Sequence, residues 1–186
     1  NNNNKKKFII TFDDAYENIF LNAFPILKKL DFNATCFVVA GNIGKFNYWD
    51  EDKINYKKMK LMNFDQINEW IRNGFSVGSH TMNHLNLTKI DNKDKIHQIL
   101  NSKDFLSEKF NTKINSFAYP FGAYDKVTTN LINKYYDFAV TTKRSRYIIN
   151  KFEKNLLPRV PVNHGDNIFK FLLKIKTPYE DLKFRD

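Results

Sequence analysis

Short apolar runs of strand length alternate along this chain with longer segments whose apolar residues recur at helical spacing, and this alternation limits the fold more than any other feature. Residues 8–12, Phe-Ile-Ile-Thr-Phe, read as a buried strand. Ile19, Phe20, Ala23, Phe24, Leu27 and Leu30 then follow a helical period, and Pro25 is expected to kink that helix or reset its start. Residues 34–39 form a second strand ended by Gly41, and the polar, aromatic stretch 42–62 reads as a long loop. Asn63 with Gln66 resembles a capping box, opening a helix with Ile67, Trp70 and Ile71 on one face and Gly74 as its stop. A strand over 75–78 precedes a helix near 92–110, striped by Ile96, Ile99, Leu100, Leu106 and Phe110. Further strands are expected over 114–118 and 138–141, around a helix capped by Asp125 and running through Tyr135. An extended segment over 156–162 and a helix over 167–175 close the order. Strands alternating with helices imply parallel pairing with helices outside, an α/β fold that is either a flat sheet or a barrel.

Composition narrows the class. The 186 residues include 18 Phe, and aromatic residues make up 16% of the chain, enough to supply the core of a single domain over residues 8–186. Residues 1–7, Asn and Lys throughout, read as a polar tail or as the cut edge of a longer chain with an anchor upstream. The chain opens without Met, and no signal peptide is in view. No apolar stretch approaches the roughly 20 residues that span a bilayer. The single cysteine, Cys36, lies in an apolar run and reads as a buried, inert thiol. The net charge of +10 comes from lysines spread along the whole chain among asparagines, without an arginine cluster or a nucleic-acid motif. A solvated basic surface is therefore expected and nucleic acid is not, while an anionic cell-envelope polymer stays open as a partner. The oligomeric state is not legible.

Three clusters carry chemistry. Asp13-Asp14 directly follows the first strand, and in parallel α/β folds ligands bind at the carboxyl ends of strands. Adjacent carboxylates also occur in ordinary surface turns. His80-Thr81-Met82-Asn83-His84 follows the strand over 75–78. Two histidines at this spacing can face one way on a helical turn and share a metal, and two imidazoles with one carboxylate leave a zinc site open for water. The bland alternative is a pair of surface histidines. Phe117-Ala118-Tyr119-Pro120-Phe121-Gly122 follows the strand over 114–118 and reads either as a turn with core aromatics or as a groove wall that stacks on sugar rings. Convergence of the three at strand ends is the argument for an active site.

Thr11-Phe12-Asp13-Asp14, His80-Thr81-Met82-Asn83-His84 and Phe117-Ala118-Tyr119-Pro120-Phe121-Gly122 resemble, in order and spacing, the first three motifs of the polysaccharide deacetylases, the NodB-homology carbohydrate esterases of family 4. Asn33-Ala34-Thr35-Cys36-Phe37 and Leu157-Pro158-Arg159-Val160-Pro161-Val162 extend the likeness from Phe8 almost to the end. The resemblance implies an irregular, partly open (β/α) barrel. It implies Asp13 as base and Asp14, His80 and His84 as ligands of one divalent metal, zinc with cobalt or nickel as alternatives. The backbone N–H of Phe121 would then help hold the oxyanion, and Tyr119, Pro120 and Phe121 would bind substrate in the groove. The implied reaction removes N-acetyl groups from an N-acetylglucosamine-containing envelope or exported polysaccharide, which implies a place at the cell envelope, in the periplasm or outside the cell, with the cytoplasm as the alternative. A non-catalytic carbohydrate binder of the same fold and an amide hydrolase acting on a non-polymeric substrate are the alternatives. The chain departs from the family pattern in three places. Ala15 replaces the usual Gly, Ala118 the usual Arg, and His164 is the only candidate for the late histidine acid, outside its usual context. Arg159 is expected to supply the missing charge and orient Asp13.

Overall fold

The computed structural model describes residues 8–148 and 151–184. The expected tail at 1–7 lies outside them. Six strands form one sheet: β1 (Ile10–Phe12), β2 (Ala34–Val38), β3 (Ser76–Ser79), β4 (Ser116–Ala118), β5 (Phe138–Arg144) and β6 (Leu157–Arg159). They lie in sequence order and every pair is parallel. The helices are α1 (Phe24–Lys29), α2 (Phe64–Arg72), α3 (Asn92–Ile96), α4 (Ser102–Phe110), α5 (Lys126–Tyr135), α6 (Ile168–Lys176) and the short α7 (Tyr179–Lys183), which the periodicity did not reveal.

Between a flat sheet and a barrel, the structure is the barrel, curled and incompletely closed. β1 and β6 stand at opposite ends of the strand order and do not pair. Even so, the Arg159 guanidinium on β6 reaches the Thr11 hydroxyl at 3.3 Å and both Asp13 oxygens at 2.7 Å. A flat sheet of six strands would hold those residues five strand spacings, roughly 24 Å, apart. The register between β5 and β6 slips between Val140 and Arg144, a bulge of the kind that re-aims side chains at barrel rims.

Local signals explain most elements. Asn63 and Gln66 make the full reciprocal capping box at α2, and Asp125 with Thr128 makes another at α5. Pro25 sits in the first turn of α1, directly after a π-helical turn over Ile19–Ala23, so the helix resets there. A second π turn, His97–Asn101, joins α3 to α4 and rotates the buried face. As a result Ile96, expected in the inner stripe, is 46% exposed, while Lys95 and Gln98 are buried. Ile99, Leu106 and Phe110 are buried as expected. The main core centres on Trp70, packed edge-on or tilted against Phe12, Phe24 and Phe75, with its indole N–H donating to Ser76 O at 2.9 Å. Cys36 is buried at 1% exposure and burial pushes its thiol pKa far up, which fits an inert thiol. Gly78 is required on β3, because a Cβ there would lie 2.5 Å from the Phe37 ring. Among the described residues no helix is long and apolar enough to cross a membrane.

Candidate metal centre

Asp13 and Asp14 leave β1 where the chain turns sharply. Asp14 and Ala15 both have positive φ, 70° and 57°. A glycine takes that conformation without strain, so Ala15 holds it against a steric cost of about 1–2 kcal/mol. Asp14, Ala15, Thr81, His84 and Phe121 are five of the seven non-glycine residues with positive φ among those described. All five lie in or beside the three motifs, where backbone strain aims side chains that regular structure would point elsewhere.

His80 and His84 follow β3 but do not occupy a helical turn, contrary to the sequence expectation. Thr81 and His84 are left-handed, and the loop is stitched by His84 N–H to Thr81 Oγ1 at 2.9 Å and Asn83 N–H to Gln98 Oε1 at 2.9 Å. The two rings nonetheless converge, their centroids 4.7 Å apart. His80 Nε2 lies 3.4 Å and His84 Nε2 3.3 Å from Asp14 Oδ1. The three ligand atoms lie within 4.8 Å of one another, the one such cluster among the described residues.

Protonation states decide between ion pairs and a metal cradle. His80 Nδ1 lies 2.7 Å from the Ala118 carbonyl, which can only accept. Nδ1 therefore carries the proton, and in the neutral ring Nε2 presents a lone pair toward Asp14. Burial, then the His80 charge, pushes His84 down to about 2, so its ring is neutral. Asp14 Oδ1 is sealed from solvent and makes no hydrogen bond. A buried oxygen facing two imidazole nitrogens without a hydrogen bond is a poor ion pair and a good set of metal donors. The residues fit a divalent cation. Their burial suits one too, with His80 and His84 only 2% and 6% exposed.

Asp13 stands beside this cluster in a different state. Burial raises its pKa, but the Arg159 hydrogen bonds, then the His80 and Arg159 charges, more than offset that and hold it below the usual value. Asp14 is displaced the other way: burial raises it, opposed by His80 and reinforced by the Asp13 and Asp50 charges. Arg159 grips Asp13 in a two-pronged pair, and its Nε donates to Thr141 O at 2.9 Å, so the guanidinium is itself fixed.

The third motif divides. Phe121 is 48% exposed with φ 59°, and its ring stands edge-on to His84 at 4.7 Å. Tyr119 and Pro120, expected to line a groove, are buried instead. Tyr119, the residue after β4, packs on Phe117 and Tyr124 as part of the main core. His164 is exposed in the turn before α6 and makes none of the centre's contacts among the described residues. Sequence reading missed the 42–62 loop as part of the site. Trp49 packs at a tilt against His84 with 4.6 Å between centroids, and the charges of Asp50 and Lys53 act on Asp14 and His84 respectively. The Tyr16 hydroxyl, also missed, hydrogen-bonds to Asp14. Tyr16 follows the acidic pair by two residues, and Trp49-Asp50 was the one signal in the loop, an aromatic beside an acid.

Comparison with known proteins agrees with this geometry. The chain is 29% identical over 179 residues to the poly-beta-1,6-N-acetyl-D-glucosamine N-deacetylase of Staphylococcus aureus strain MRSA252, covering 91% of this chain and 58% of that protein. Its fold superposes on the crystal structure of BC0361, a polysaccharide deacetylase from Bacillus cereus, with a TM-score of 0.76 at 29% identity, over 90% of this chain and 50% of that one. The Streptococcus pyogenes deacetylase PplD, solved with acetate, gives a TM-score of 0.76 at 26% identity, covering 92% and 72% of the two chains. The chain spans about half the length of the curated relatives it matches. A family model for polysaccharide deacetylases matches residues 1–137. With those motifs gathered at one end of a parallel, partly open barrel, the chain belongs to the polysaccharide deacetylase family.

Proposed function

We propose that this protein is a metal-dependent hydrolase that removes N-acetyl groups from an N-acetylglucosamine-containing polysaccharide of the cell envelope or an exported one. The carrying observation is the set of Asp14, His80 and His84 donor atoms within 4.8 Å of one another, with Asp13 alongside in the grip of Arg159. The substrate class is supported by the staphylococcal relative, whose name specifies poly-beta-1,6-N-acetyl-D-glucosamine. Residues 8–186 would act as one deacetylase domain, with a glycan as partner.

Asp14, His80 and His84 would hold a divalent cation, zinc or else cobalt or nickel, which when bound supplies a Lewis acid for the acetyl carbonyl and for water. Asp13, ionised and aimed by Arg159, takes the proton from the attacking water. The Phe121 backbone N–H donates to the oxyanion that develops on the carbonyl oxygen as water attacks the carbon. The C–N bond then breaks, and the proton held by Asp13 is the one the departing amine needs. Arg159 favours that return, because a carboxyl held below its usual pKa gives up a proton readily.

The test is acetate release from acetylated glycans, poly-β-1,6-N-acetylglucosamine among them, with and without chelator. Asp13→Asn and His84→Ala should each lower the rate by at least about 100-fold. Acetate release that survives both substitutions would sink the proposal.

A further inference from the structure

Residues 80–84 carry two metal donors on backbone in which Thr81 and His84 are left-handed, with φ 69° and 57°. Such a segment keeps its shape only where its surroundings fix it. β2 and the turn after it fix three backbone groups. His80 N–H donates to Val38 O at 2.9 Å, Ala40 N–H to Thr81 O at 3.0 Å and Gly41 N–H to Met82 O at 2.8 Å. His84 N–H is held from within the segment, by Thr81 Oγ1. The Asn83 N–H, directly before the ligand, donates to Gln98 Oε1 at 2.9 Å. In this set Gln98 is the side chain that arrives from a helical element.

Gln98 faces inward because of the π-helical turn His97–Asn101. The turn makes Lys95, Gln98, Ile99 and Ser102 the buried positions and leaves Ile96 outside. A continuous α-helix would keep Ile96 on the inner stripe with Ile99, Leu100 and Leu106. The fold thus forgoes an apolar contact and buries an amide at 3% exposure, in a kind of turn that is frequent at functional sites. The turn is itself braced. Ile99 O accepts from Ser102 Oγ at 3.0 Å and from the Tyr136 hydroxyl at 2.8 Å. With its proton committed there, Ser102 Oγ accepts from Ser79 Oγ at 2.7 Å, and Ser79 Oγ accepts from Thr81 N–H at 3.4 Å. One helical irregularity therefore reaches the histidine segment twice, at Thr81 and at Asn83.

We propose that the π turn is the device that aims His84 at the metal, with Gln98 as the positioning residue for that ligand. This rests on the reading of Asp14, His80 and His84 as the holders of a divalent cation. Gln98 acts through the backbone: its amide oxygen fixes the peptide from which the His84 ring projects.

The experiment measures zinc affinity by competition with a chromogenic chelator, and amide exchange over residues 80–85 in the metal-free protein. Gln98→Leu should weaken zinc binding at least about tenfold, as the loss of a group that orients a ligand does. It should also speed exchange at Asn83 and His84. Gln98→Glu, which keeps an acceptor oxygen at the same reach, should keep exchange slow and bind zinc within about threefold of the parent. Asn63→Ala, which weakens the α2 cap, controls for stability alone and should leave both readouts unchanged. Zinc affinity in Gln98→Leu within about threefold of the parent overturns the proposal. Equal weakening in Gln98→Glu or in Asn63→Ala also overturns it. No zinc binding by the parent removes the metal centre and the proposal with it. Gln98-dependent zinc binding without acetate release from any acetylated glycan removes the deacetylase reading and keeps the positioning role.

Discussion

Asp13 and Asp14 are adjacent in sequence, yet their carboxyls are displaced in opposite directions, the first downward by Arg159 and the second upward by burial among other acids. The difference suits a base beside a metal ligand. It yields a prediction for Arg159→Ala. Turnover should fall by about 10–100-fold while zinc content stays near that of the parent, because the pair lost is a part-buried, two-pronged charged one and not a ligand. The acid limb of the pH–rate profile should also move to higher pH, since removing the cation raises Asp13. Unchanged kcat with an unchanged acid limb would end that role for Arg159. His84 gives a second prediction, for the metal-free protein. Its folded pKa is depressed to about 2, below the unfolded reference of 6.5, so between those values the unfolded chain binds a proton that the folded chain does not. Stability is therefore full above about pH 6.5 and declines as the pH falls below it, by at most about 1.4 kcal/mol per unit. Denaturant titrations at pH 7, 6 and 5 should show the decline, and His84→Gln should flatten it.

At the scale of elements, the strands and caps follow local chemistry, and the loops do not. Asn63 with Gln66 marked the start of α2 because capping is a contact between residues three apart. Asn63→Ala should cost about 1 kcal/mol in denaturant unfolding and leave metal content untouched. A loss below a few tenths would show that the cap is dispensable in this context. The His80–His84 segment misled for the same physical reason. Its spacing suits a helix, but Thr81 and His84 take left-handed backbone, imposed by Thr81, Gln98 and the turn of the chain beneath Gly41. Tyr119 was read as a groove residue because Pro120 and Gly122 signal an exposed turn, and in the barrel that turn tucks its first two residues inward. The π turn at His97–Asn101 likewise moved Ile96 out and Gln98 in, and Gln98 then supports the histidine loop.

At the scale of the molecule, the barrel brings strand ends together and leaves Asp14, His80 and His84 facing one another there. Asp14 follows β1 and the histidines follow β3, with β2 between. A cation bound by all three would bind the folded chain and not the unfolded one. Zinc at about 100 times its Kd should raise stability by about 2.7 kcal/mol, and chelator should reverse the gain. His84→Ala should abolish the dependence, and a melting temperature indifferent to zinc and chelator would speak against the site. Local sequence was enough to reveal that β1 ends in two acids, that β3 ends in two histidines, and that parallel strands place both at one end. Period, capping and strand-end placement depend on near neighbours along the chain. It could not show that β6 curls back to β1 so that Arg159 closes on Asp13, 146 residues away in sequence, or that the loop after β2 folds over His84 with Trp49 and Asp50. Those contacts are decided by the curl of the sheet and by Asn47 clamping a loop neck, long-range packing that no local pattern encodes.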